Sequence, residues 1–144
     1  MATATLLYTP EILGLAAALA DYPADASLPL SGSARSKSCG SSLTMQLAID
    51  DAGLIARLGI AAHACAIGQA AIAIFARAAP GRSVADIAMA ERAIVAWLAG
   101  EGGLPDWPGL GAITPAAAYH ARHGAILLAW RAALAALSSD EYAS

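Results

Sequence analysis

The sequence predicts an α+β fold: a small antiparallel β-sheet of three strands with helices packed on one face, in the order α-β-β-β-α-α-α. Leu43, Met45, Leu47 and Ile49 alternate with Thr44, Gln46 and Ala48, the period of a strand with one buried face. Asp50-Asp51-Ala52-Gly53 then supplies hairpin-turn chemistry, with Gly53 free to take positive φ. Past Ala64 the apolar residues recur at three- and four-residue steps, which is the period of helices.

Taken in order, Thr9-Pro10-Glu11 predicts a helix start. Thr9 serves as N-cap, Pro10 sits where its missing N–H costs nothing, and Glu11 faces the positive helix end. That helix runs to about Ala20. Asp21 to Ser38 is rich in Pro, Gly and Ser, a turn-rich stretch with room for a short edge strand over Ala34 to Ser38. The first full strand opens at Ser41, and Leu54 to Ala62 returns beside it. A helix follows from near Cys65 to Pro80-Gly81, carrying Ala66, Ile67, Ala70, Ala71, Ile74, Phe75 and Ala78 at helical spacing. Ser83 with Asp86 forms a capping-box pattern ahead of a helix over Val84 to Ala99 that stops at Gly100. Glu101 to Thr114 reads as a loop with Trp107 as a hydrophobic plug. Thr114-Pro115 repeats the first start signal for a last helix ending near Leu137.

The 144 residues fit one domain, 1–144, in which 58% hydrophobic and 13% charged residues exclude disorder. A chain of this size buries roughly 68–70% of its unfolded surface and needs no disulfide to hold a core. A net charge of -3 without a Lys/Arg cluster argues against nucleic acid and against acidic lipid headgroups as partners. A mean hydropathy of +0.59 raises the question of a membrane span over Leu58 to Ala76. His63, Gly68 and Gln69 near the middle of that window, and its alanine content, favour a strand followed by a buried helix. Met1 to Leu7 lacks the pattern of a signal peptide, so the expected location is cytoplasmic, with reduced thiols.

The chain has 2 cysteines and 3 histidines. Cys39 precedes the first full strand and Cys65 follows the second, each thirteen residues from Ala52 in the turn. A hairpin brings its outer ends together, so the two thiols are expected at one end of the sheet. At the head of a helix, Cys65 also meets unpaired N–H groups and the positive end of the dipole, an environment suited to a thiolate ligand. The alternative for Cys65 is burial as a small apolar residue, which is common in alanine-rich cores. His63 stands two residues before Cys65. His120 and His123, three apart, share one face of the last helix. Arg35, Lys37 and Arg122 have two readings, as cations around the thiol pair that lower its pKa or, the safer one, as ordinary surface charge.

Cys39-Gly40-Ser41 before an alternating strand, then a return strand ending in Cys65-Ala66-Ile67-Gly68 and a small-residue helix, resembles the iron–sulfur cluster assembly scaffold family of NifU N-terminal domains, IscU and SufU. The likeness runs from about Tyr8 to Leu137. Two departures stand out: the family aspartate after Cys-Gly is Ser41, and the third cysteine of the last helix is missing. Alignment through Ala129-Trp130-Arg131 places Arg122-His123 where the family carries Lys-Cys or His-Cys, with Gly124 and Ala125 the neighbouring alternatives.

The resemblance implies a scaffold or carrier rather than an enzyme. Its ligands would be Cys39, Cys65 and His123, with Ser41, His63 or His120 as the fourth. Its cargo would be an iron–sulfur cluster or iron held transiently, or zinc in its place. The implied partner is a cysteine desulfurase, and a second copy would form a homodimer. Two other functions stay open. One is a SufU- or SufE-like sulfur acceptor carrying persulfide on Cys39 or Cys65. The other is a degenerate, metal-free interaction domain.

Overall fold

The structure is a computed structural model and describes residues 8–38 and 40–143, with the side chains of 139–143 excepted. Helix α1 spans Pro10–Ala18 and continues as a 3₁₀ turn over Leu19–Asp21. Strands β1 (Leu30–Arg35), β2 (Ser42–Ile49) and β3 (Ile55–His63) follow, then helices α2 (Ala66–Ala78) and α3 (Val84–Leu98). A 3₁₀ helix over Leu110–Ala118 leads into α4, His120–Ala143. The sheet is antiparallel in the order β1-β2-β3. The predicted class and element order therefore hold.

β2 alternates as its sequence requires: Leu43, Met45 and Leu47 are buried, and the residues between them are half-buried. Asp50 builds the β2–β3 turn with its own side chain, whose Oδ1 accepts from Ala52 N at 2.9 Å and Leu54 N at 3.0 Å. Gly53 takes φ +81° there, as the turn demands. The expected membrane rival resolves into β3 and α2, and no helix among the described residues is long and apolar enough to cross a membrane.

The core lies between the sheet and the helices. Phe75, Trp107 and Trp130 meet in it: Phe75 stacks on Trp107 with centroids 5.4 Å apart, and Trp130 stands edge-on to both at 5.3 Å. Each such contact adds about 0.5–1.5 kcal/mol beyond area burial. Trp107 is the expected plug, and its Nε1–H donates to the Ile74 carbonyl at 3.1 Å.

Two elements depart from expectation. The edge strand lies at Leu30–Arg35 instead of Ala34 to Ser38, because Gly32 lets it run directly against the α4 backbone: a Cβ there would overlap the Ala132 carbonyl oxygen and the Ala136 nitrogen. The last helix begins at His120 instead of Thr114. Pro115 falls within the 3₁₀ helix, whose buried residues Leu110, Ile113 and Ala116 recur every three positions, the 3₁₀ period.

The capping box of α3 forms in full. Ser83 Oγ accepts from Asp86 N at 3.1 Å, and the Asp86 carboxylate accepts from Ser83 N at 3.0 Å. That backbone bond first, then the Ser83 side chain and the Arg82 charge, hold the Asp86 carboxyl below its ordinary value. A carboxyl depressed in the folded state stabilises above its ordinary pKa, and the stabilisation is lost as pH falls through the folded value. The stability gap between wild type and Asp86→Asn is therefore expected to be constant above about pH 5 and to shrink below about pH 4. Denaturant midpoints across that range measure it, and a gap that widens in acid contradicts it.

Candidate functional site

The register of the hairpin places the site. Ser42 pairs with His63, so Gly40-Ser41 ahead of β2 and Ala64-Cys65 beyond β3 come to the same end of the sheet. The β1–β2 connection is closed by two backbone bonds, Ser36 N to Ser41 O at 2.8 Å and Gly40 N to Ser36 O at 3.0 Å. Gly40 takes φ +73° in that turn, a conformation that L side chains rarely adopt. The start of α4 reaches the same place, where the Ser38 hydroxyl donates to the Ala121 carbonyl at 3.0 Å. Gly124 allows this approach, since a Cβ there would press on Ser36.

Together these segments line an open cleft of about 300 Å³ bordered by Gly40, Ser41, His63, Ala64, Cys65 and Arg122. Cys65 is the N-cap of α2, as expected, and its Sγ accepts from Gly68 N at 3.5 Å. It is half-buried, so its sulfur is neither sealed in the core nor fully exposed. Ser41 is buried at 3% exposure. His63 is exposed and lines a second, more open cavity of about 560 Å³ on the outer sheet face with Arg35, Ser42 and Thr44. Cys39 lies outside the described residues, as does the Met1 to Leu7 segment. The chain neighbours of Cys39, Ser38 and Gly40, both stand at this corner.

The structure thus gathers Cys65, His63, Ser41 and Arg122, while His120 and His123 line a different cavity of about 280 Å³ with Val95, Leu98 and Arg131. His123 Nε2 is 2.7 Å from the Ala117 carbonyl oxygen and donates to it, since a carbonyl only accepts. Its ring centroid is 4.8 Å from that of His120. The separation has a simple cause. Consecutive helical residues project about 100° apart, so a helix that turns Arg122 to the thiol cavity turns His123 away from it. The residue below Arg122 on the same face is Ala125, fully buried and packed toward Gly68 in the first turn of α2. Among the described residues no three of His, Cys, Asp and Glu gather closely enough to hold a metal ion. Of the cations that the sequence offered either as neighbours of the thiols or as ordinary surface charge, Arg122 lines the cavity of Cys65, while Arg35 lines the cavity on the outer sheet face.

No family model and no curated protein matches the sequence. Solved structures do. A nitrogen-fixing NifU-like protein, N-terminal, from Brucella abortus is 26% identical over 99% of each chain, with a TM-score of 0.88. A putative iron–sulfur cluster assembly scaffold protein for the SUF system from thermophilic Fervidobacterium islandicum AW-1 is 18% identical, covering 92% of this chain and 97% of its own, with a TM-score of 0.81. The latter likeness is one of fold. Near-complete superposition on a NifU-like N-terminal domain at 26% identity, with a SufU-like scaffold sharing the fold, supports the resemblance to the iron–sulfur cluster assembly scaffolds, from whose pattern this chain departs by Ser41 in place of the aspartate and by the missing third cysteine.

Proposed function

We propose that the protein is an iron–sulfur cluster assembly scaffold, or a closely related metal-binding accessory protein, that works at the cysteine corner. Its cargo is iron, with sulfide as a transient cluster or alone, or zinc in its place. The thiolates of Cys39 and Cys65 hold the cargo together with an imidazole. His63 already lines the cavity with Cys65, and His123 reaches it only by giving up the Ala117 carbonyl. Thiolate sulfur and imidazole nitrogen are the donors that iron and zinc prefer. A cysteine desulfurase supplies the sulfur, and the open corner lets it approach.

The observation that carries this reading is Cys65 at a helix start in a cavity of about 300 Å³ on a NifU-like fold, with His63 beside it. Anaerobic reconstitution with iron(II), cysteine and a desulfurase tests it through visible absorption and iron and sulfide content. The wild type is expected to take up both, and Cys39→Ala to fall to background. A wild-type chain that takes up neither iron with sulfide nor zinc overturns the proposal.

A second reading is persulfide carriage on one cysteine, for which the half-buried thiol of Cys65 at the cleft is the described candidate. It predicts desulfurase stimulation that needs a single cysteine and survives a chelator. Loss of stimulation on adding the chelator rejects it.

A further inference from the structure

We propose that the groove between α3 and the loop ahead of the 3₁₀ helix docks a basic amphipathic helix of a partner protein, with an apolar anchor against Met89 and Lys or Arg on Asp86 and Asp106. Arg82 of this groove lies just past the C-terminal end of α2, whereas Cys65 caps the N-terminal end, about 20 Å of helix away. The inference therefore stands apart from whatever the cysteine corner holds.

The lining is apolar and accessible. Met89 is 63% exposed, the most of any large apolar side chain among the described residues. Covering it removes apolar surface from water, and its flexible thioether adapts to the shape of what covers it. Ala90 and Ala93 of α3, with Pro105 and Trp107 of the loop, complete the apolar walls. The groove is open and measures about 250 Å³, below the roughly 300–1,000 Å³ of pockets that enclose a small molecule, so its size suits an anchoring side chain. Its α3 wall runs from Asp86 to Ala93, about two turns. Neither wall is a strand, so the matching element is a helix laid alongside and not a strand added to a sheet.

Charge selects the kind of helix. Two carboxylates border the groove, Asp86 on α3 and Asp106 on the loop, both exposed. The capping box fixes Asp86 in place, since its carboxylate accepts from Ser83 N at 3.0 Å. Neither carboxylate is in an ion pair: those of the described residues join Arg57 to Asp25 and Arg131 to Glu91. The one cation of the lining, Arg82, is already held. Its Nε donates to the Ala78 carbonyl at 3.0 Å, and its guanidinium lies 4.5 Å from the centre of the Trp107 ring. An apolar groove with acidic edges complements a helix that carries Lys or Arg beside its apolar stripe, and like charge disfavours an acidic one. The net charge of -3 on the whole chain acts in the same direction.

The test titrates the full chain with two fluorescein-labelled peptides of about 18 residues, five turns of amphipathic helix, one built of Leu and Lys and the other of Leu and Glu. Fluorescence anisotropy gives the affinities. The methyl spectrum of protein labelled at its 3 methionines gives the place, because Met45 is buried in the core and Met89 is exposed. The basic peptide is expected to bind at least ten-fold more tightly than the acidic one and to shift the Met89 methyl while leaving that of Met45 in place. Met89→Ala should weaken the basic peptide about five-fold or more, as for truncation of an interface anchor. Asp106→Asn should weaken it about three-fold, the size of one exposed charge pair. Both side chains are exposed, so neither substitution disturbs the core. Glu11→Gln removes the same charge from α1, outside the groove, and should change nothing beyond the error of the titration. Equal binding of the two peptides, an unmoved Met89 methyl, or equal losses in Asp106→Asn and Glu11→Gln overturns the proposal. None of these outcomes touches the scaffold reading, whose test is metal and sulfide uptake.

Discussion

Cys65→Ser is expected to abolish iron and sulfide uptake while leaving the fold as stable as the wild type. The reason lies in the two tasks of this side chain. As N-cap of α2, its Sγ accepts from Gly68 N at 3.5 Å. Serine performs that task at least as well, since its oxygen ranks among the preferred N-cap acceptors. In the proposed site its sulfur would be a soft donor, which a serine hydroxyl at neutral pH does not replace. The substitution therefore separates capping from metal holding. The thermal midpoint should stay within about 2 °C of wild type, given a capping difference of a few tenths of a kcal/mol. The visible absorption of the reconstituted protein and its iron content should drop to background. Uptake at the wild-type level would remove Cys65 from the site.

Gly32→Val has the largest expected effect on stability. Gly32 pairs with Met45 in the sheet, and a side chain there would overlap the Ala132 carbonyl oxygen and the Ala136 nitrogen of α4. Both obstacles are backbone, so no rotamer change relieves the clash. β1 and α4 must separate, at a cost of about 3 kcal/mol, the upper end for overpacking a core, or roughly 10 °C in thermal midpoint. Because α4 carries Arg122 past the thiol cavity, the same substitution should also loosen the corner. Gly14→Ala is the internal contrast. Gly14 lies within α1 with nothing within 4 Å of an added Cβ, so alanine should stabilise by about 0.5–1 kcal/mol. Denaturant midpoints of the two variants report both signs, and a Gly32→Val protein as stable as wild type would refute the close-approach account.

The amino-acid sequence by itself determined those features that depend on neighbours along the chain. Period-2 alternation over 43–49 made β2, since one buried face selects that spacing in any sheet. Asp50 and Gly53 made its turn, and Ser83 with Asp86 made the α3 cap, because each satisfies backbone groups within three or four residues. Hairpin topology brought the segments around Cys39 and Cys65 to one end, so the corner was legible before any coordinates.

Tertiary packing alone decided the rest. Gly32 and Ser33 read as turn residues, and became strand because α4 needed a surface without side chains to lie on. Thr114-Pro115 carries the same local start signal as Thr9-Pro10. There, burial of Leu110, Ile113 and Ala116 favoured a 3₁₀ segment and delayed the helix to His120. The rotation of α4 then sent Arg122 toward Cys65 and His123 toward the Ala117 carbonyl. A helix's rotation about its axis is set by what it packs against, and no rule of spacing along one chain contains that information.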